Sequence, residues 1–189
     1  YLNSNVMIGP VLSQSSRRFV PGNTSENPKL NGRPLVLIAP EEVQFIPFEA
    51  DRHNTLAGLQ RHLPDVTDAF VGAAWLVKDG QPQPASSFGT LFDFDAYRHR
   101  AFWGINYAGQ PVVGVSHDLV DSVTLGKILA TAGLRDAVMV DSGASTSLVY
   151  EGESMVGYIP RPVPHVVALI PPHQNSGAPC PLLMPLQEP

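Results

Sequence analysis

The run Asp141-Ser142-Gly143-Ala144-Ser145-Thr146 puts a carboxyl group directly before three small residues and two further hydroxyls. Side chains of that size let backbone N–H groups come close to a ligand. Successive amides in a tight turn, joined by the hydroxyls of Ser145 and Thr146, can hold a phosphate or another oxyanion. The Asp141 side chain then serves as acid, base or nucleophile. The plain alternative is that Asp141 and Ser142 cap a turn in a β protein. An acid delivered by an apolar strand into three small residues is an unusual choice for a plain turn, which favours chemistry.

Such a turn needs a rigid support on each side. Ala137-Val138-Met139-Val140 reads as a buried strand running straight into Asp141. Before it, Thr124 can cap a helix with Leu125, Ile128, Leu129 and Ala132 at helical spacing, which Gly133 ends. Ala101 to Ile105 and Pro111 to Val115 alternate as a hairpin turning at Ala108-Gly109-Gln110. After the turn, Leu148 to Tyr150 is expected to pair with Val156 to Ile159 through Glu151-Gly152-Glu153, and His165 to Ile170 to form a last strand.

Upstream, Leu35 to Ile38 and Val43 to Phe48 read as strands. A short helix capped by Asn54 carries Leu56, Leu59 and Leu63 before Pro64 stops it. Ala73 to Val77 follows as a strand into the Asp79-Gly80 turn. Phe92-Asp93-Phe94-Asp95 alternates as a half-exposed strand, Phe inward and Asp outward, which accounts for the two acids without a metal. The stretch before Pro34 reads as loop with one short strand at Val6 to Ile8. No internal repeat is present.

Composition sets the scale. A chain of 189 residues with 43% hydrophobic content can bury one sizeable core, and 15% charged residues with 19 prolines point to strands and turns. The expected class is therefore a single α+β domain, a mostly antiparallel or mixed β-sheet with two or three short helices packed on it. It is expected over residues 1–170, with 171–189 as a proline-rich tail. A net charge of −5 without a broad cationic face argues against nucleic acid as a partner. The lone Cys180 supports neither an intramolecular disulfide nor a cysteine zinc site. No apolar run reaches the ~20 residues needed to span a bilayer. The chain opens at Tyr1, and an exported setting (periplasmic, cell-surface or secreted) is expected, with any signal segment outside this chain.

Two families write strings close to this one. Val138 to Leu148 resembles the active-site loop of retropepsin-like aspartic peptidases, in which the loop joins two strands of a small all-β subunit. The second resemblance is longer. Arg100-Ala101-Phe102-Trp103-Gly104-Ile105, a glycine-turn hairpin, the helix from Thr124, and Gly133 to Asp141 follow in the order of the phosphodiester glycosidase family. Its Asp-Gly-Gly-Gly-Ser-Ser/Thr string would fall on Asp141 to Thr146, with Ser142 and Ala144 in place of two glycines. Its Arg-Pro-Val-Pro would fall on Arg161-Pro162-Val163-Pro164, with His165 where Asn is usual. Leu2-Asn3-Ser4-Asn5 resembles a degraded form of its Asn-Gly-Gly motif, and a further strand region would precede Tyr1.

The second resemblance implies a hydrolase that cleaves a sugar–phosphate diester in a glycan or cell-envelope polymer. The substrate is then a carbohydrate or sugar phosphate, and Asp141 and Arg100 are the catalytic candidates. Ser142, Gly143, Ser145, Thr146 and Arg161 are the substrate-binding candidates. The guanidinium of Arg100 can clamp phosphate oxygens through parallel hydrogen bonds; the alternative is a surface residue on a hairpin beside Arg98. A second carboxyl could come from Asp118 or Asp121, although either more readily caps the following helix. His117 beside Asp118 is a further base candidate, against the commoner surface role. No cofactor is implied, and a divalent metal is compatible but not indicated. A dimeric aspartic peptidase built on Asp141 and a non-catalytic glycan-binding module remain the alternatives.

Overall fold

Two five-stranded antiparallel sheets organise the computed structural model, which describes residues 6–89 and 93–170. The first sheet is built from β1 (Val11–Ser13), β2 (Arg18–Val20), β3 (Pro34–Ile38), β4 (Val43–Pro47) and β5 (Asp68–Val71), in the order β2-β1-β5-β3-β4. Two short helices, α1 (Ala50–His53) and α2 (Leu56–Gln60), link β4 to β5. The second sheet contains β6 (Ala74–Lys78), β7 (Gln81–Pro82), β8 (Arg100–Asn106), β9 (Pro111–Val115) and β10 (Leu134–Ser142), in the order β7-β6-β10-β8-β9. Helix α3 (Ser122–Thr131) precedes β10, and a small hairpin of β11 (Val149–Tyr150) and β12 (Glu153–Ser154) follows it.

Side-chain alternation explains how these parts stack. On β3, Leu35 and Leu37 pack with Phe48, Leu59 and Leu63 around α1 and α2, while Val36 faces the other way against Trp103, Ile105 and Val138. On β10, Ala137 and Met139 pack with Leu125 and Leu129 of α3, and Val138 faces the first sheet. Each sheet thus has one face under helix and one against the other sheet. That is why Leu35 to Ile38 and Ala137 to Val140 are uninterrupted apolar runs and not alternating ones.

The α+β class and the packing of short helices on antiparallel sheet hold. Several details differ from the sequence expectations. The opening stretch forms the β1–β2 hairpin and not a strand at Val6 to Ile8. Thr55, not Asn54, caps α2, its hydroxyl accepting the Gly58 N–H at 3.0 Å. The cap of α3 is Asp121, in line with the cap reading given to it and not with the expectation of Thr124, whose N–H it accepts at 2.8 Å. Asp93 to Asp95 form turns and bends, and Phe92 lies outside the described residues. The hairpin after the turn pairs Tyr150 with Glu153, because Glu151 (φ 50°) and Gly152 (φ 85°) close it in two residues. His165 to Ile170 form no strand. The expected tail, 171–189, and Asn3 lie outside the described residues.

Candidate active site

The site begins with a bulge. Along β10 the pairing passes from Met139 opposite Phe102 to Asp141 opposite Ala101, so Val140 is the extra residue that re-aims the strand end. Ser142 then pairs with Arg100 at the start of β8. Gly143 follows with φ 88°, the left-handed conformation that requires glycine here. Its N–H donates to His99 O at 2.8 Å, and the Thr146 hydroxyl donates to the same oxygen at 3.1 Å. Ser142 and Ala144 do not have positive φ, so their Cβ atoms are compatible with this backbone where the family string has glycine.

Asp141 is held at the turn by its own neighbours. Its Oδ1 accepts the Ser142 N–H at 2.7 Å and the Ser145 hydroxyl at 3.1 Å. Among the described residues, Oδ2 has no hydrogen-bond partner, nor do the N–H groups of Ala144 and Ser145. One carboxyl oxygen and two amides of the turn thus lack a protein partner among the described residues. Tyr158 closes one side, its hydroxyl donating to Thr146 O at 2.7 Å and its ring 4.7 Å from that of His99. Burial, with the charge of Asp141 adding to it, raises the Tyr158 pKa, so the phenol stays protonated as a donor.

Arg100 is the main correction to the sequence reading. Its side chain is fully buried beneath the turn. Nε donates to Val120 O at 2.8 Å, and Nη2 to the carbonyls of Asp93 (2.7 Å), Phe94 (3.3 Å) and Ala96 (2.6 Å). Nη1 reaches Ser142 Oγ at 3.1 Å and Met139 Sδ at 3.3 Å. Every guanidinium nitrogen is engaged, which leaves no donor for a phosphate in this arrangement. Burial lowers its pKa, and Asp121, Asp93 and Asp95 oppose that shift, so the group remains a cation.

The other candidates fall around this assembly. Arg161 is tied in through its N–H to Ala144 O at 2.8 Å. Ser145 and Thr146 are buried, and the Thr146 hydroxyl is committed to His99 O, so Thr146 shapes the turn from within. Asp121 is occupied as the helix cap. Burial pulls its pKa upward, but the Thr124 hydroxyl and nearby amides outweigh this and hold it below the ordinary carboxylate range. His117 and Asp118 pair with each other in open solvent, 3.2 Å apart. Sequence reasoning gave Arg98, Asp93 and Tyr158 no place at the site. Arg98 lies against Gly143, where an added Cβ would sit 3.2 Å from Nη1, and it pairs with Asp93 at 3.0 Å. Only long-range packing brings these three together, and no local spacing signals it. Among the described residues, no three His, Cys, Asp or Glu side chains cluster to hold a metal.

A two-sheet α+β fold with an acid-bearing glycine turn at the tip of a central strand defines the class. Residues 14–170 match the family model for phosphodiester glycosidases, and the chain belongs to that family. No curated protein matches the sequence. Among solved structures, the chain is similar to the zebrafish N-acetylglucosamine-1-phosphodiester alpha-N-acetylglucosaminidase catalytic domain auto-inhibited by pro-peptide. There the TM-score is 0.54 and identity 15%, over 77% of this chain and 49% of that one. A hypothetical protein from Synechocystis gives a TM-score of 0.44 and 16% identity, over 67% of this chain and 31% of that one. This chain thus spans half or less of the length of those structures.

Proposed function

We propose that this chain hydrolyses a sugar–phosphate diester carried by a glycan or cell-envelope polymer, in an extracytoplasmic setting. The observation that carries the reading is the Asp141 carboxyl, fixed through Oδ1 by Ser142 N–H and Ser145 Oγ, with Oδ2 left to act. In this proposal Oδ2 faces the anomeric carbon, and the Ala144 and Ser145 amides receive a substrate oxygen that gains charge as the bond breaks. Ser142 and Gly143 set the approach, Thr146 props the turn, and Arg161 adds positive charge at its mouth. Arg100 acts as a positioning residue, holding Ser142 and the 93–96 segment together. Family membership and the likeness of fold support this reading.

Release of free sugar from a sugar-1-phosphodiester tests it. Asp141→Asn preserves shape and should lower turnover by about 10²–10⁴-fold, the usual loss when a positioned acid, base or nucleophile is removed. Unchanged turnover would remove Asp141 from the chemistry. Peptide cleavage at acid pH, blocked by an aspartic-peptidase inhibitor, would replace this reading with the peptidase one.

A further inference from the structure

A phosphodiester carries a negative charge beside the bond to be cut, and the arginine nearest Asp141 in the pairing register is already spent. Arg33, which opens β3, differs. Its backbone N–H donates to Leu30 O at 2.9 Å and its carbonyl accepts the Phe48 N–H at 2.8 Å, yet among the described residues its guanidinium has no hydrogen bond and no ion pair. The side chain is half-buried, and burial alone lowers its pKa, with no neighbouring carboxylate to compensate. A partly desolvated guanidinium whose donors find no protein partner among the described residues gains from an anion that completes it.

Arg33 lines a cleft of about 180 Å³ with Gly9, Pro10, Phe70, Gly72 and Val140 among its walls. Val140 is the bulge residue directly before Asp141. Asp141 pairs with Ala101, which is two residues from Trp103 and so on the same face of β8, the face turned towards the first sheet. The cleft therefore runs along the side of the second sheet on which Asp141 stands. Apart from Arg33 its lining residues are small or apolar, so Arg33 carries the one charged side chain on its walls. Its volume falls below the roughly 300–1,000 Å³ of pockets for whole organic ligands, and suits one oxyanion group.

We propose that this cleft is the phosphate subsite, with Arg33 as the cation against the phosphate of the substrate. This rests on the diester-hydrolase reading for its substrate, but the anion site can be tested separately. Inorganic phosphate, titrated calorimetrically into the intact chain, should bind saturably. Arg33→Gln should weaken it about 10–100-fold, as expected for losing hydrogen bonds from a charged donor. Arg33→Lys should lie between the two, and Asp141→Asn should still bind. In the unaltered protein, phosphate should protect Arg33, but not the exposed Arg17, from phenylglyoxal, read by mass spectrometry. That readout stands even if a variant fails to fold. No phosphate binding by the unaltered chain, equal binding by folded Arg33→Gln, or no protection of Arg33 overturns the proposal. Sugar release that survives Arg33→Gln with unchanged KM sinks the subsite and spares the hydrolase reading. Phosphate protection of Arg33 without any sugar release does the reverse.

Discussion

Arg100 shows how a single side chain can hold a site without touching what the site acts on. It joins Val120, which precedes α3, to the 93–96 segment and to Ser142 at the strand tip, all by hydrogen bonds from one rigid fork. Ser142 belongs to this arrangement, since a glycine there would offer Nη1 no hydroxyl oxygen. Removing the guanidinium leaves Ala96 O without a partner among the described residues and takes one of two donors from the carbonyls of Val120, Asp93 and Phe94; an unsatisfied buried acceptor costs about 1–3 kcal/mol. Allowing for relaxation, Arg100→Met should destabilise the fold by about 3–5 kcal/mol, the scale seen when one partner of a buried charged cluster is removed. In a chain of this size that lowers Tm by about 10 °C, read by thermal unfolding. Arg100→Lys should recover only part of the loss, because a point-like ammonium cannot serve acceptors spread along a planar fork. Wild-type Tm for the Met variant would show that the fork is not a strut.

At the scale of elements, α1 and α2 are clasped by a histidine pair. His53, 1% exposed, accepts the Glu49 N–H on Nδ1 at 2.9 Å, so its neutral form carries the proton on Nε2, 2.9 Å from Nε2 of His62. Burial lowers the His53 pKa, His62 and Arg52 lower it further, and Glu49 opposes them. The unfolded chain therefore takes up a proton more readily than the folded one. The resulting stability is complete above the ordinary histidine value of about 6.5 and is lost as pH falls below it. Thermal unfolding between pH 7.5 and 5 should show Tm dropping with acid, with a shallower slope in His53→Gln; parallel slopes would exclude the pair as the cause. Elements such as this clasp also mark the limit of what the sequence discloses. Strands buried on both faces, β3 and β10, and the β8–β9 hairpin announce themselves through apolar runs and turn residues. The very short β1, β2 and β5 do not, because pairing with β3 and with one another makes them strands, not local preference. The same holds at the site: Asp141 to Thr146 is legible as one string. That Arg100 lies beneath it, Arg98 against it and Arg33 in the neighbouring cleft follows only from how the strands align.

The whole molecule depends on the seam where the two sheets meet. Val36, Trp103, Ile105 and Val138 are buried there, with the rings of Phe45 and Phe70 centred 5.7 and 5.8 Å from that of Trp103. The cleft lined by Arg33, Phe70 and Val140 opens along the same seam, so whatever fixes the spacing of the sheets also fixes the width of that cleft. Trp103 supplies bulk there at a cost. Its indole Nε1 is the one buried side-chain polar atom among the described residues without a hydrogen-bond partner. An unsatisfied buried donor costs about 1–3 kcal/mol, whereas trimming a large ring to a smaller one in a packed core loses a comparable amount through the void it leaves. The two effects oppose each other in Trp103→Phe. That variant should stay within about 1 kcal/mol of wild type, a Tm shift of no more than about 3 °C. Trp103→Ala, which loses the tilted and edge-on ring contacts as well, should cost about 3–5 kcal/mol. Denaturant midpoints of the two variants distinguish the terms. A Phe variant as unstable as the Ala variant would mean that the indole N–H is satisfied in solution, and that the seam is wetter than its packing indicates.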